Sequence, residues 1–204
     1  MARFYSIVFS MLWVAWVTYW WALSRSVKVN VRRESVYSRR SYVVALLLAV
    51  VLLSVPTLPI PFLDKRFLPG AAWLLWNGIG AVLVVVGLLF TVWAREHLGR
   101  NWSDVVTIKV DHELVMSGPY RVVRHPIYTG LLVAFLGTAI ARGEWRGLLA
   151  VALALWAFWR KSRVEERLMR EQFGAAKAMR GGKFDSLAGG MSGRELNGIF
   201  GKFN

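Results

Sequence analysis

From Phe4 to Leu23 about 20 consecutive residues pass without a charged side chain, and the runs from Tyr42 to Phe62 and from Gly70 to Trp93 do the same. A helix rises about 1.5 Å per residue, so each run is long enough to cross the ~30 Å hydrocarbon core of a bilayer. Backbone N–H and C=O groups find no water there, and a helix satisfies them within the segment. The pattern predicts three membrane-spanning helices. A single arginine precedes the first run, as in a signal peptide. Its length, its tryptophans and tyrosines throughout, and the lack of a small-residue cleavage site read instead as a retained span.

Two shorter apolar segments, Ile127 to Ala141 and Gly147 to Trp159, are separated by Arg142-Gly143-Glu144 and read as a helical hairpin. Pro56, Pro59 and Pro61 should end the second span near the membrane surface. After Arg160, the residues Arg163, Glu165, Glu166, Leu168, Met169 and Phe173 form an amphipathic helical pattern, which Gly174 or Gly181-Gly182 would stop. The expected fold is therefore an all-α, polytopic integral membrane protein with about five transmembrane helices. Its parts are membrane spans over 1–94, a core over 95–182 and a glycine-rich mobile tail over 183–204.

Charge sets the expected orientation. The loop between the first two spans holds Arg25, Lys28, Arg32, Arg33, Arg39 and Arg40 against Glu34 alone, whereas the outer loop holds only Asp64, Lys65 and Arg66. The N-terminus is then outside. The Arg95 to Arg124 connector, everything after Arg160 and the C-terminus face the cytoplasm. The formal net charge of +14 suits basic loops facing anionic lipid, so the bilayer and not nucleic acid is the expected partner. No cysteine is present, which excludes disulfides, thiolate metal sites and cysteine nucleophiles.

The densest polar chemistry lies in Ser117-Gly118-Pro119-Tyr120-Arg121-Val122-Val123-Arg124-His125-Pro126-Ile127-Tyr128-Thr129-Gly130. Pro126 suits the first position of a helix, where its missing N–H is not needed, and makes His125 the cap. Arg121, Arg124, His125 and Tyr128 then fall within a turn of one another, beside free backbone N–H groups that favour an anion. Each has a plainer use: the arginines and tyrosines as interfacial anchors, His125 as a cap alone, Glu165 and Glu166 as solvated partners of Arg163 or Arg170. The histidines His97, His112 and His125 lack metal-site spacing, so no metal is expected. No GxGxxG follows a strand, and a Rossmann domain is not expected. A cytoplasmic mouth with aromatic rings, helix N-termini and a carboxylate pair would suit a zwitterionic ligand and a lipophilic or small-molecule substrate.

Asn101-Trp102-Ser103, His112-Glu113-Leu114-Val115, Gly118-Pro119-Tyr120, Arg124-His125-Pro126-Ile127-Tyr128-Thr129-Gly130, and Glu165-Glu166 followed by Phe173-Gly174 together resemble the isoprenylcysteine carboxyl methyltransferase family, integral-membrane enzymes related to phospholipid methyltransferases. The resemblance covers about Arg95 to Gly174. It implies S-adenosylmethionine as cofactor, in a cytoplasmic pocket lined by Tyr120, His125, Pro126 and Tyr128 and closed by Glu165 or Glu166. The cofactor's carboxylate would suit the helix start near His125 and Arg124, and its sulfonium the tyrosine faces and a carboxylate. Methyl transfer asks mainly for alignment and exclusion of water. A carboxylate substrate would need a positioning cation, Arg163 or Arg160. A thiol, amine or phenol would need Glu165 or Glu166 as a base. Family members commonly carry tyrosines after Phe173-Gly174, where this chain reads Ala175-Ala176-Lys177-Ala178-Met179-Arg180.

Two other functions fit parts of the chain. An NADPH-dependent enzyme of the sterol-reductase type is similar around an Arg-His-Pro-x-Tyr element, but those proteins are longer and have more spans. A transporter or a non-catalytic adaptor would place ionisable residues within its spans, often with internal repeats. The charge-free spans and the Glu165-Glu166 pair favour the membrane methyltransferase.

Overall fold

The structure is a computed structural model that describes residues 2–24, 30–33, 36–55, 60–99, 107–109 and 117–184. Five helices carry the fold: α1 (Ala2–Ser24), α2 (Val36–Ser54), α3 (Trp73–Leu98), α4 (Pro126–Arg142) and α5 (Trp145–Phe184). Three of them are long and apolar enough to cross a membrane, over Ser6–Leu23, Tyr37–Ser54 and Gly70–Leu98. At 17 residues α4 is shorter, reaching about 25 Å along its axis. The second span begins before the expected Tyr42 and ends at Ser54, ahead of the prolines.

The all-α expectation holds for the elements that carry the fold, with one addition and one correction. A two-stranded antiparallel ribbon, β1 (Asn30–Arg33) with β2 (Thr107–Lys109), joins the α1–α2 loop to the segment after α3. Strands of this length are too short to register as an alternating pattern. The helix after Arg160 is also not a separate element. It continues the second arm of the hairpin, and neither Gly174 nor Gly181-Gly182 stops it before Phe184. Glycine costs a helix about 1 kcal/mol but, unlike proline, keeps its N–H in the hydrogen-bond ladder. The chain divides into two compact units between Glu166 and Arg167. The first holds α1 to α4 and the start of α5; the described part of the second is the remaining helical backbone of α5. Beyond Phe184 the expected tail lies outside the described residues, as do Asn101-Trp102-Ser103 and His112.

Successive helices alternate in direction, with α4 at the centre of the first unit. One apolar cluster unites Ala49 and Leu53 of α2 with Phe135 of α4 and Ala150, Ala154 and Phe158 of α5. A second unites Phe9 of α1, Val84 and Leu88 of α3, and Ala134 and Ala141 of α4. Lipid tails are as apolar as these side chains, so packing quality and interhelical hydrogen bonds hold such helices together. Close approach is built from small residues. A Cβ on Gly80 would lie 2.5 Å from the carbonyl oxygen of Gly137, and one on Gly87 would lie 2.5 Å from that of Gly130. Two tryptophans of α1 add bonds across the bundle: the indole N–H of Trp16 donates to Thr91 Oγ1 at 2.7 Å and that of Trp13 to Thr138 Oγ1 at 3.2 Å.

At the end of the bundle that holds the α4–α5 turn, α2 stops at Ser54, and its last carbonyls lie beyond the helix's own donors. Arg142 donates to Leu53 O at 2.7 Å and Arg146 to Val55 O at 3.1 Å. Cations suit a helix C-terminus, where carbonyl dipoles converge. Glu144 pairs with both arginines, at 3.3 and 3.2 Å, and Asp64 pairs with Arg146.

Candidate functional site

The opposite end gathers the start of α2, the C-terminus of α3, the N-terminus of α4 and residues 158–166 of α5. The connector's return is fixed first. His97, in the last turn of α3, presses its ring against Gly118, where a Cβ would lie 2.3 Å from ring atoms. Gly118 also has φ +56°, a left-handed conformation that only glycine adopts without strain. The 3-10 turn Gly118–Arg121 follows, with Pro119 buried and its carbonyl accepting from Val123 N at 3.0 Å.

The sequence placed the start of α4 correctly. Pro126 is its first residue and fully buried, and His125 is the cap. Only the backbone of His125 caps: its carbonyl accepts from Thr129 N at 3.1 Å and Thr129 Oγ1 at 3.2 Å. The imidazole is thereby left for α5. Its Nδ1 lies 3.3 Å from Glu165 Oε2 and its Nε2 3.7 Å from Glu166 Oε1. The other oxygen of Glu165 accepts the hydroxyl of Tyr128. One carboxylate therefore ties a cap residue and a first-turn residue of α4 to α5.

The rings continue the arrangement. His125 and Tyr128 stack with centroids 5.4 Å apart, and Tyr128 stacks on Phe158 at 5.0 Å. The ammonium of Lys161 sits over two rings, 5.3 Å from the centroid of Tyr128 and 5.9 Å from that of Tyr42. Phe158, Lys161 and Glu165 share one face of α5 through their spacings of three and four residues. That periodicity was visible in the sequence. What hid Lys161, Phe158 and Tyr42 is that two are ordinary membrane aromatics and one an ordinary loop cation until the helices pack.

Electrostatics follow from this packing. Burial by itself would lower the pKa of His125, but the hydrogen bond and charge of Glu165, with Glu166 behind it, raise it above the ordinary 6.5. The imidazolium form is favoured. Tyr120, half-buried, is held protonated by burial and then by the negative charge of Glu165, with Arg95 opposing. His125 Nε2 is buried and faces Glu166 Oε1 at 3.7 Å, an ion pair longer than a hydrogen bond.

Of the residues singled out in the sequence, His125, Tyr128, Glu165 and Glu166 are brought into one cluster, with Pro126 buried at its base. Tyr120 lies within the electrostatic reach of Glu165. Arg124 is exposed. Arg163, also exposed, lies with its guanidinium 5.4 Å over the ring of Trp159. Arg160 bonds Ser41 Oγ on α2 at 2.7 Å. Arg95, buried at the end of α3, donates to Gly99 O at 2.6 Å and Leu23 O at 3.2 Å, tying α3 to the end of α1.

Comparison with known proteins converges on this same stretch. The phospholipid methyltransferase family matches residues 76–176. The chain is 30% identical over 148 residues to a probable protein-S-isoprenylcysteine O-methyltransferase of Oryza sativa subsp. indica, covering 71% of this chain and 74% of that protein. It is 26% identical over 148 residues to protein-S-isoprenylcysteine O-methyltransferase A of Arabidopsis thaliana, covering 71% and 72%. To the Saccharomyces cerevisiae protein-S-isoprenylcysteine O-methyltransferase it is 32% identical over 114 residues, covering 54% and 48%.

Proposed function

Because the chain belongs to the isoprenylcysteine O-methyltransferase family, itself of the phospholipid methyltransferase type, we propose that it methylates a lipophilic carboxylate with S-adenosylmethionine as donor. The names of its relatives support an S-prenylated cysteine as the acceptor. The basic first loop supports a cytoplasmic site, with the N-terminus outside.

One observation carries the reading. The cluster of His125, Tyr128, Glu165 and Glu166 closes within the family's matched residues, 76–176. Its donor set fits the cofactor. The carboxylates of Glu165 and Glu166 and the faces of the aromatic rings suit a sulfonium and an ammonium. The exposed Arg124 and the backbone N–H groups at the start of α4 suit a carboxylate. When bound, S-adenosylmethionine supplies a methyl group already activated on sulfur.

The residues of the chain then have binding work to do. Esterifying a carboxylate removes no proton from it, so no general base is required. Tyr128 and His125 hold Glu165 in place, and Glu165 with Glu166 aligns the cationic donor. Pro126 and Tyr120 wall the site and keep water out, which favours a displacement that depends on alignment. An amine or thiol acceptor would instead draw on Glu165 or Glu166 as base.

The test is transfer of labelled methyl from S-adenosylmethionine to an S-prenylated cysteine by the purified protein in lipid nanodiscs. A base-labile methyl ester is the expected product. A folded protein that labels neither this acid nor other lipophilic acids would overturn the assignment.

A further inference from the structure

Residues 60–69 connect the span over Tyr37–Ser54 to the one over Gly70–Leu98, so they stand where hydrocarbon gives way to headgroups. Their backbone is pinned to the α4–α5 turn. Arg146 N donates to Leu63 O at 2.9 Å, Trp145 N to Lys65 O at 3.2 Å, and Phe67 N to Gly143 O at 2.8 Å. Asp64 pairs with Arg146 and accepts from Ile60 N at 3.0 Å. Held this way, Phe62 takes φ +73°, and among the described residues it is the one non-glycine with a positive φ. A bulky side chain is strained there, and such strain persists only where the surroundings over-determine the backbone. The strained backbone presents a ring to the surface. Phe62 stacks on Trp145 with centroids 6.3 Å apart, and Phe67 tilts against the same indole at 5.5 Å, yet Phe62 is 63% and Trp145 41% exposed.

Exposed aromatic rings at this depth suit the headgroup level, where one side of a ring is apolar and the other wet. The charges beside them select the headgroup. The ammonium of Lys65 lies 5.7 Å from the centroid of Phe62. Arg66, exposed like Lys65, carries its guanidinium across Gly143, where a Cβ would lie 3.4 Å from Nη2. The acids of this end are directed to other cations, Glu144 to Arg142 and Arg146, and Asp64 to Arg146. Lys65 and Arg66 are therefore positive charge in excess of the clasp. We propose that this turn binds the headgroup of an anionic phospholipid, its phosphate held by Lys65 and Arg66 and its glycerol backbone resting on the rings of Phe62 and Trp145. A net negative headgroup gains from both cations, whereas the ammonium of a zwitterionic one is repelled by them. This surface is at the opposite end of the bundle from the His125 and Glu165 cluster, so lipid binding here is separable from methyl transfer.

The test is native mass spectrometry of protein released from nanodiscs of phosphatidylcholine mixed with phosphatidylglycerol. Wild type is compared with Phe62→Gly and with the double variant Lys65→Gln, Arg66→Gln. Wild type retains phosphatidylglycerol in preference to phosphatidylcholine, and the double variant holds it about tenfold or more weakly. Phe62→Gly frees the backbone of its left-handed strain but removes the ring, so its affinity for phosphatidylglycerol falls about threefold or more. Melting temperatures of both variants in phosphatidylcholine alone stay within about 4 °C of wild type, which separates lost binding from lost fold. Wild-type affinity in the double variant or in Phe62→Gly, or equal retention of the two lipids by wild type, overturns the proposal. So does displacement of the lipid by inorganic phosphate, which would make this a site for a free anion.

Discussion

The hydroxyl of Tyr128 in the first turn of α4 donates to a carboxylate oxygen of Glu165, 37 positions later on α5. The second oxygen of the same carboxylate faces His125 Nδ1 at 3.3 Å. Shortening or tilting either helix would separate these groups. The cluster therefore reports the packing of α4 on α5, and any ligand that uses Glu165 finds its acid already oriented.

Tyr128→Phe keeps the ring stack on His125 and Phe158 but removes the donor to Glu165. Loss of one hydrogen bond to a charged acceptor should cost about 1–3 kcal/mol of stability and weaken S-adenosylhomocysteine binding about tenfold. In Glu165→Gln the same tyrosine substitution should matter much less, since its ionised acceptor is gone. Thermal midpoints and binding constants over the four-variant cycle measure this coupling; additive effects would show that the two residues act independently.

The pH dependence has a definite sign. The folded-state pKa of His125 lies above its ordinary 6.5, so the stability gained from pairing the imidazolium with Glu165 and Glu166 is fully present below 6.5. It is lost as pH climbs through the raised value. Relative to His125→Gln, wild type should therefore lose melting temperature as pH rises from below 6.5 through the raised value. Parallel profiles for the two proteins would contradict the pairing.

The contact between α3 and α4 tolerates no added atom at its glycines. Gly137→Ala would set a Cβ 2.6 Å from Gly80 O and 2.8 Å from Leu83 Cβ, and should destabilise by about 1–3 kcal/mol. Gly78→Ala meets nothing within 4 Å and should be neutral or stabilising by up to about 1 kcal/mol. Equal melting temperatures for the two variants would rule out the close approach.

At the other end, Arg142→Met strips the last carbonyls of α2 of one donor and Glu144 of a partner. About 1–3 kcal/mol of stability should be lost, with methyl transfer retained at temperatures where the variant is folded. A variant as stable as wild type would mean that the clasp holds nothing.

Much of this architecture was legible in the chain. Charge-free runs placed α1, α2 and α3, and Pro126 placed both the start of α4 and the capping role of His125. Glu165 and Glu166 stood out as acids on an amphipathic face, yet their meeting with His125 and Tyr128 depends on how α5 crosses α4, which local sequence does not encode. The ribbon of β1 and β2 was hidden by its brevity. The continuity of α5 was hidden by glycines that weaken a helix without ending it. Lys161 was overlooked because residues Arg160 and Arg163 carry the same charge; only packing distinguishes the face that Glu165 shares.

The central claim is a cofactor site built on the cluster that Glu165 organises. Its most direct test is equilibrium binding of S-adenosylhomocysteine to the purified protein in nanodiscs, for wild type, His125→Ala and Glu165→Gln. Saturable binding by wild type, weakened tenfold or more in both variants while both remain folded, is the expected result. Binding that is absent from folded wild type, or undiminished in both variants, would contradict it.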